Sequence, residues 1–276
     1  MKVGIVGCGV VGRATAQAFD EHELAVYDTQ VERSTHSLVS ATTCDLVFVC
    51  LPTPQKVDSL ECDTGILDDF FLYAATKARM TNFVLRSTVP VGYTRRIAHD
   101  HSLMRLVHSP EFLTERTADE DASNPTRLVI GDPGLSWRST ECVKLLKELY
   151  GGAYHGVPFH SDPPLVYTMT SDESEAVKLF QNAFSAVKVA CFNEFRRFSD
   201  SIGLDWTRVV SALLAGGWIN PMHTSVPGPD GERGFGGSCL PKDLANLIAC
   251  MYIRDMDAVM LEAAKRRNDT IDRRKV

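Results

Sequence analysis

Cys239 is the side chain in this sequence best suited to forming a covalent intermediate. It follows Gly234, Gly236 and Gly237 and precedes Pro241, Lys242 and Asp243 in the run GFGGSCLPKD. Three glycines ahead of a thiol let backbone approach a neighbour closely, and the residues after it read as a helix start. The free N–H groups and dipole of a helix N-terminus favour a thiolate, and Lys242 adds positive charge. Upstream, Glu175, Lys178 and Asn182 are spaced three and then four apart, so a helix carries them on one face. Taken singly, a Lys and an Asn at that spacing describe solvated surface, and a lone loop Cys describes a buried thiol. A third group opens the chain. Gly7, Gly9 and Gly12 fit G-x-G-x-x-G between a strand-like run and a helix-like run. Gly7 permits the tight turn, Gly9 leaves room for a pyrophosphate, and Gly12 lets the helix pack on the strand. Asp28 stands 21 residues after Gly7, at the end of the second apolar run. A carboxylate there accepts from ribose hydroxyls and repels a 2′-phosphate, which favours NAD over NADP. Arg33, five residues on, works against that preference.

These groups need elements to hold them. Short β-rich runs at 3–6, 24–27, 46–51, 83–87, 105–108 and 128–130 alternate with helix-length stretches at 13–20, 68–80 and 134–150. Strand–helix alternation predicts a Rossmann-type, doubly wound parallel sheet, an α/β fold. The Gly-, Pro- and His-rich stretch 154–164 closes this domain, placed at 1–165. Residues 166–276 then read as a smaller all-α domain. Its helices are expected at 171–201, 206–215, 242–254 and 257–267, with a Pro- and Gly-rich loop at 216–241 carrying Cys239. The basic tail 265–276 reads as a solvated helix end.

Composition narrows the classes of function. The chain has 276 residues, a formal charge of −6, 44% hydrophobic and 23% charged residues. That is ordinary for a folded globular protein and excludes disorder over most of the length. An acidic chain without a long basic block has no bulk attraction for nucleic acid or anionic lipid. No apolar run approaches the roughly 20 residues of a membrane helix, and MKVGIVGCG does not resemble a secretory signal, so a cytoplasmic protein is expected. The eight cysteines form no Cys-x-x-Cys pair and no zinc-type cluster, so neither a metal site nor a disulfide framework is expected. Cys8, Cys50 and Cys191 lie in apolar stretches and read as small buried hydrophobes.

Six blocks carry a family resemblance: GCGVVG at 7–12, CLPTP at 50–54, STVP at 87–90, SPEFLTE at 109–115, the Lys178/Asn182 helix and GFGGSCLPKD at 234–243. Their order and content resemble the nucleotide-sugar 6-dehydrogenases, the UDP-glucose and GDP-mannose dehydrogenase group. The related β-hydroxyacid dehydrogenases share a Lys-x-x-x-Asn helix and lack the cysteine loop. The resemblance implies NAD-dependent, four-electron oxidation of a nucleotide sugar, most simply UDP-glucose to UDP-glucuronate. Cys239 would form a thiohemiacetal and then a thioester. Lys178 would stabilise the oxyanion with Asn182 as a second donor. Asp243 and Thr88 would hold a water for proton removal, and Glu111 would serve as the base for thioester hydrolysis.

The resemblance also assigns binding roles. Gly7, Gly9, Val10, Val11, Gly12, Asp28, Arg33, Pro52, Thr53, Thr88, Glu115 and Lys242 would meet the cofactor. Glu111, Phe112, Leu113, Lys178, Asn182, Phe235 and Gly236 would meet the sugar nucleotide. The family pairs through the long helix, which carries Phe180, Phe184, Phe192, Phe195 and Phe198, so a homodimer is expected. The chain reads as a short member without the usual C-terminal nucleotide-binding domain, so a partner supplying that surface is a further expectation. It departs from the family at 220–223, which read Asn-Pro-Met-His without the usual Arg, and at Arg116, where Gly is usual. Two other classes of function compete: a regulatory or assembly protein that binds NAD without turnover, and a two-electron hydroxyacid dehydrogenase using Lys178. The intact Cys239, Lys178, Asn182, Glu111 and Asp243 argue against the first, and Cys239 argues against the second.

Overall fold

The computed structural model describes residues 1–78, 80–134, 137–153 and 164–273. It divides into two compact units, Met1–Pro54 with Asp63–Lys178, and Gln55–Cys62 with Leu179–Val276. The division falls inside one helix, where the sequence alone places the boundary at 165/166.

The first unit alternates strands and helices as expected: β1 Lys2–Val6, α1 Val10–Ala18, β2 Glu23–Tyr27, α2 Leu38–Thr42, β3 Leu46–Val49, α3 Gly65–Lys77, β4 Asn82–Leu85 and α4 Tyr93–Asp100. It continues through β5 Arg105–His108, α5 Ala118–Ser123, β6 Arg127–Asp132, α6 Trp137–Ala153 and β7 Leu165–Thr170, and α7 Ser171–Ser201 starts within it. The strands form one sheet in the order β2-β1-β3-β4-β5-β6-β7. The first five are parallel, β6 meets β5 antiparallel at His108↔Gly131, and β7 runs parallel to β6. Continuous apolar runs such as Leu46–Val49 suit strands covered on both faces. On one side Phe70, Phe71 and Ala74 of α3 and Ile97 of α4 pack against Val47, Phe83 and Leu85. On the other, Phe19 and α6 residues Cys142, Leu146, Leu149 and Tyr150 pack against Ile5, Phe48 and Val84.

Register matters more for function than strand count. Val6 pairs with Val49, Val49 with Leu85, and Leu85 with His108. The four strands therefore end level. The next residues, Gly7, Cys50, Arg86 and Ser109, begin four loops along one sheet edge, the carboxyl edge where doubly wound sheets bind ligands.

Strand β7 is not foreseen in the sequence. It is an edge strand exposed at nearly every position, and Ser171 begins α7 without an intervening turn residue. The expected closing stretch 154–164 lies outside the described residues as far as 163. Helix α1 starts at Val10 rather than at 13, because Gly9 is its N-cap.

The face formed by Glu175, Lys178 and Asn182 is not solvated; their exposures are 1%, 5% and 8%. Glu175 accepts from the N–H groups of Gly92 (2.6 Å) and Thr94 (2.7 Å) and so caps α4. Burial pushes its carboxyl up from the ordinary 4.5 to about 7. The folded protein then holds a proton that the unfolded chain releases first, so stability from this group falls as pH rises from 4.5 towards 7 and levels off above. Relative to wild type, Glu175→Gln should therefore gain Tm between pH 5 and 8 in calorimetry. A Tm difference independent of pH contradicts this.

The second unit contains the rest of α7 with α8 Trp206–Ala215, α9 Leu240–Tyr252 and α10 Val259–Arg267, which runs on as a π-helical turn Asn268–Asp272. Phe192, Trp206 and Val226 form a buried cluster, and α9 is buried from Asp243 to Cys250. Two expectations are corrected here. Cys191 is exposed rather than a buried hydrophobe, because it lies on the outward side of α7. The tail is not a solvated helix end over its described part, 265–273. Asn268 is 4% exposed, and Arg267 pairs with Asp272 at 3.0 Å.

Candidate active site

The three loop glycines divide their work as their positions require. Gly7 has φ +90°, and a Cβ there would lie 2.6 Å from the Cys50 carbonyl oxygen. A Cβ on Gly12 would lie 1.9 Å from the Gly7 carbonyl oxygen. A Cβ on Gly9 would meet nothing within 4 Å, so the space outside the loop is open. No side chain caps α1, whose first turn holds Val10, Val11 and Gly12. An open approach to an uncapped helix N-terminus fits a dinucleotide pyrophosphate.

Asp28 is locked at the end of β2. Its Oδ2 accepts from the Cys8 N–H at 2.6 Å and its Oδ1 from the Gln30 N–H at 2.8 Å. Burial alone would raise its pKa, but the Gln30 and Cys8 N–H donors and the Arg33 charge outweigh it and hold the carboxyl below the usual range. Each carboxylate oxygen of Asp28 keeps lone-pair capacity for a further donor such as a hydroxyl. Asp28→Ala is expected to weaken NAD binding about tenfold and NADP binding less, as read by fluorescence titration. Equal wild-type affinities for the two cofactors contradict the assignment.

Pro52 and Thr53 follow β3, and the Thr53 hydroxyl donates to the Thr88 carbonyl at 2.8 Å, joining CLPTP to STVP. Both threonines are buried. Beyond β5, Lys178 Nζ donates to the Glu111 carbonyl oxygen at 2.7 Å and to Glu111 Oε1 at 2.9 Å. Glu111 Oε2 accepts from the Leu113 N–H at 2.9 Å. The two side chains are only 6% and 13% exposed. The Phe112 ring lies under the Arg127 guanidinium at 4.1 Å, with Lys178 Nζ at 5.6 Å from its centroid. Glu115 begins an exposed 3-10 turn with Arg116. The first unit thus presents an ammonium and a carboxylate already paired, beside a glycine loop shaped for a dinucleotide.

The second unit carries the thiol. Cys239 is exposed at the N-cap of α9, with Pro241 in the first turn and the Ser238 hydroxyl 3.5 Å from Sγ. Its carbonyl accepts from the Asp243 N–H at 2.9 Å. Asp243, 1% exposed, accepts from Asn182 Nδ2 at 2.6 Å and from Lys242 Nζ at 2.5 Å. Two donors on a fully buried carboxylate hold it in one orientation. Lys178 and Asn182 occupy consecutive turns of α7, the first in one unit and the second in the other. Thr88 likewise belongs to the first unit and Asp243 to the second.

Phe235, expected from the sequence to meet substrate, is 3% exposed, and a Cβ on Gly236 would lie 2.2 Å from Arg273 Nη1. At Gly236 glycine admits a close protein neighbour. Sequence reasoning also missed Arg86. It is buried at the end of β4, lies over Phe48 at 5.0 Å, and donates to the Tyr150 hydroxyl and, at 3.4 Å, to the Ser109 carbonyl. A charge directly after the apolar run Phe-Val-Leu was the available signal. His108, fully buried beside it, bonds Ser174 Oγ at 2.8 Å. Burial drops its pKa to about 3, so it stays neutral.

A doubly wound sheet with a dinucleotide loop, joined to a helical unit bearing a helix-cap thiol, defines an NAD-dependent dehydrogenase architecture. Residues 23–153 match the UDP-glucose/GDP-mannose dehydrogenase family, NAD binding domain, and residues 172–270 match the central domain of the same family. The chain belongs to that family, and NAD is its cofactor. It is 27% identical to a UDP-glucose 6-dehydrogenase of Campylobacter jejuni, over 91% of this chain and 68% of the relative. Against the Streptococcus pneumoniae UDP-glucose 6-dehydrogenase, identity is 29% over 82% of this chain and 54% of the relative. The chain therefore spans between about half and two thirds of these relatives. A UDP-glucose dehydrogenase structure from Pyrobaculum islandicum shares the fold with TM-score 0.81 at 24% identity, covering 97% of this chain and 68% of that one. Among the described residues, no helix is long and apolar enough to cross a membrane.

Proposed function

We propose that this protein oxidises the primary alcohol of a nucleotide-linked hexose to a carboxylate, with UDP-glucose as the favoured substrate and the cytoplasm as its setting. The observation that carries the reading is the exposed Cys239 thiol at the cap of α9, with the buried Asp243 one turn on. NAD, when held by the glycine loop, would supply the hydride acceptor, and taking an alcohol to a carboxylate requires two such transfers to two NAD molecules in turn. Between the two oxidations the carbon is an aldehyde that must not escape. The Cys239 thiolate adds to it, giving a thiohemiacetal whose oxidation yields a thioester. Lys178 offers an ammonium to the developing oxyanion, with Asn182 as a second donor. Glu111, released from Lys178, takes a proton from the hydrolytic water; the acyl–sulfur bond breaks and the thiolate is restored. Asp243 and Thr88 hold the water that accepts the alcohol proton.

Glycine-loop residues with Asp28, Arg33, Pro52, Thr53, Glu115 and Lys242 bind the cofactor in this reading, and Phe112 and Leu113 flank the sugar. A panel of UDP-glucose, UDP-N-acetylhexosamines and GDP-mannose, followed by NADH absorbance, tests it. UDP-glucose is expected to give the fastest reduction, and no reduction with any of them contradicts the proposal.

A homodimer through α7 forms part of the same proposal. Phe180, Phe184, Phe195 and Phe198 are 58%, 68%, 46% and 61% exposed, an aromatic surface that water disfavours. Light scattering at micromolar concentration is expected to give twice the chain mass, and a monomer mass contradicts it.

A further inference from the structure

The glycine run ahead of Cys239 is fastened from several directions, all within the second unit. Asn268, buried at the start of the π-helical turn, accepts the Phe235 N–H on Oδ1 at 2.8 Å and returns Nδ2 to the Phe235 carbonyl at 3.0 Å. That reciprocal pair satisfies both backbone groups of one residue with one amide. Asn193 of α7, 1% exposed, accepts the Gly234 N–H at 3.1 Å and is itself held by donating to the Val189 carbonyl at 2.9 Å. Arg273 donates to the Arg233 carbonyl at 2.8 Å and lays its guanidinium against Gly236. A Cβ on Gly234 would lie 2.4 Å from Asn268 Oδ1, so only glycine allows the amide this close. Beyond the fastened stretch the chain becomes exposed at Gly237, Ser238 and Cys239, and α9 takes over with the Asp243 N–H on the Cys239 carbonyl. The thiol therefore sits on three exposed residues suspended between a buried clamp and a buried helix.

We propose that Asn268, assisted by Asn193, is a positioning residue for Cys239. It touches no substrate; it fixes where the thiol-bearing segment leaves the protein surface. The proposal rests on the reading of Cys239 as nucleophile. A misplacement of about 1 Å costs on the order of a hundredfold in rate, so a buried amide that grips the chain four residues before Cys239 controls turnover through geometry.

The test uses Asn268→Ala, which removes both bonds, and Asn268→Asp, which keeps the acceptor and loses the donor. Iodoacetamide labelling is mapped by peptide mass, with glutathione added to the same sample as reference thiol. In Asn268→Ala the Cys239-to-glutathione labelling ratio is expected to change at least about threefold, and kcat to fall about tenfold or more with KM for NAD within about twofold. Asn268→Asp should fall between. A folded Asn268→Ala with wild-type labelling ratio and kcat overturns the proposal. Amide exchange of the wild type needs no variant to fold: the Phe235 N–H is expected to exchange at least about a hundredfold more slowly than that of Gly237. Equal rates overturn the proposal. Labelling and exchange need no turnover, so a wild type that oxidises no nucleotide sugar sinks the proposed reaction and leaves the clamp to be judged separately.

Discussion

Cys239→Ser is expected to abolish steady-state turnover while leaving NAD binding unchanged. The thiol is exposed, and among the described residues its side chain has only the Ser238 hydroxyl, at 3.5 Å, as a hydrogen-bond partner, so little structure is lost with it. A serine hydroxyl can still add to an aldehyde, and oxidation then gives an oxygen ester. An alkoxide leaves far less readily than a thiolate, so hydrolysis stalls. The loss should be on the order of a thousandfold or more, with one slow burst of NADH and a trapped sugar mass on the protein. Cys8→Ser and Cys191→Ser serve as controls and should affect stability at most. Near-normal turnover in Cys239→Ser contradicts covalent catalysis.

The second large effect belongs to Lys178. Its ammonium and the Glu111 carboxylate are paired at 2.9 Å with little solvent on either. Lys178→Met leaves Glu111 buried and uncompensated, which destabilises by roughly 3 kcal/mol in denaturant melts. It also removes the proposed oxyanion donor, which on that proposal lowers kcat on the order of a hundredfold to a thousandfold. The two effects separate in the double variant. Lys178→Met with Glu111→Gln removes both charges, so stability should largely recover while turnover does not. If Lys178→Met keeps wild-type kcat, Lys178 is a structural ion only.

Much of this was legible in the sequence because local signals agreed with one another. The apolar runs of β1 to β6, the three glycines and Asp28 sit where period and punctuation place them. Helices α7 and α8 run from Ser171 to Ser201 and from Trp206 to Ala215, the expected bounds. What was not legible depends on tertiary contact. Nothing local tells that Glu175 caps α4 across 81 to 83 residues of sequence. Asn268 lies in what reads as a charged tail, and its partner Phe235 is 33 residues away. Strand β7 lacks a buried face to impose a pattern, and Cys191 shows that an apolar neighbourhood in sequence need not be one in space. At Gly234 and Gly236 the need for glycine was visible, but the protein neighbours that impose it, Asn268 and Arg273, were not.

The central claim is that one thiol holds the carbon through two successive oxidations. The most direct measurement is the stoichiometry of NADH formed per sugar consumed, with product mass determined in the same sample. The account predicts a ratio of about two and a carboxylate product. A ratio of about one, with aldehyde or ketone as the released product, contradicts it and leaves a two-electron dehydrogenase in its place.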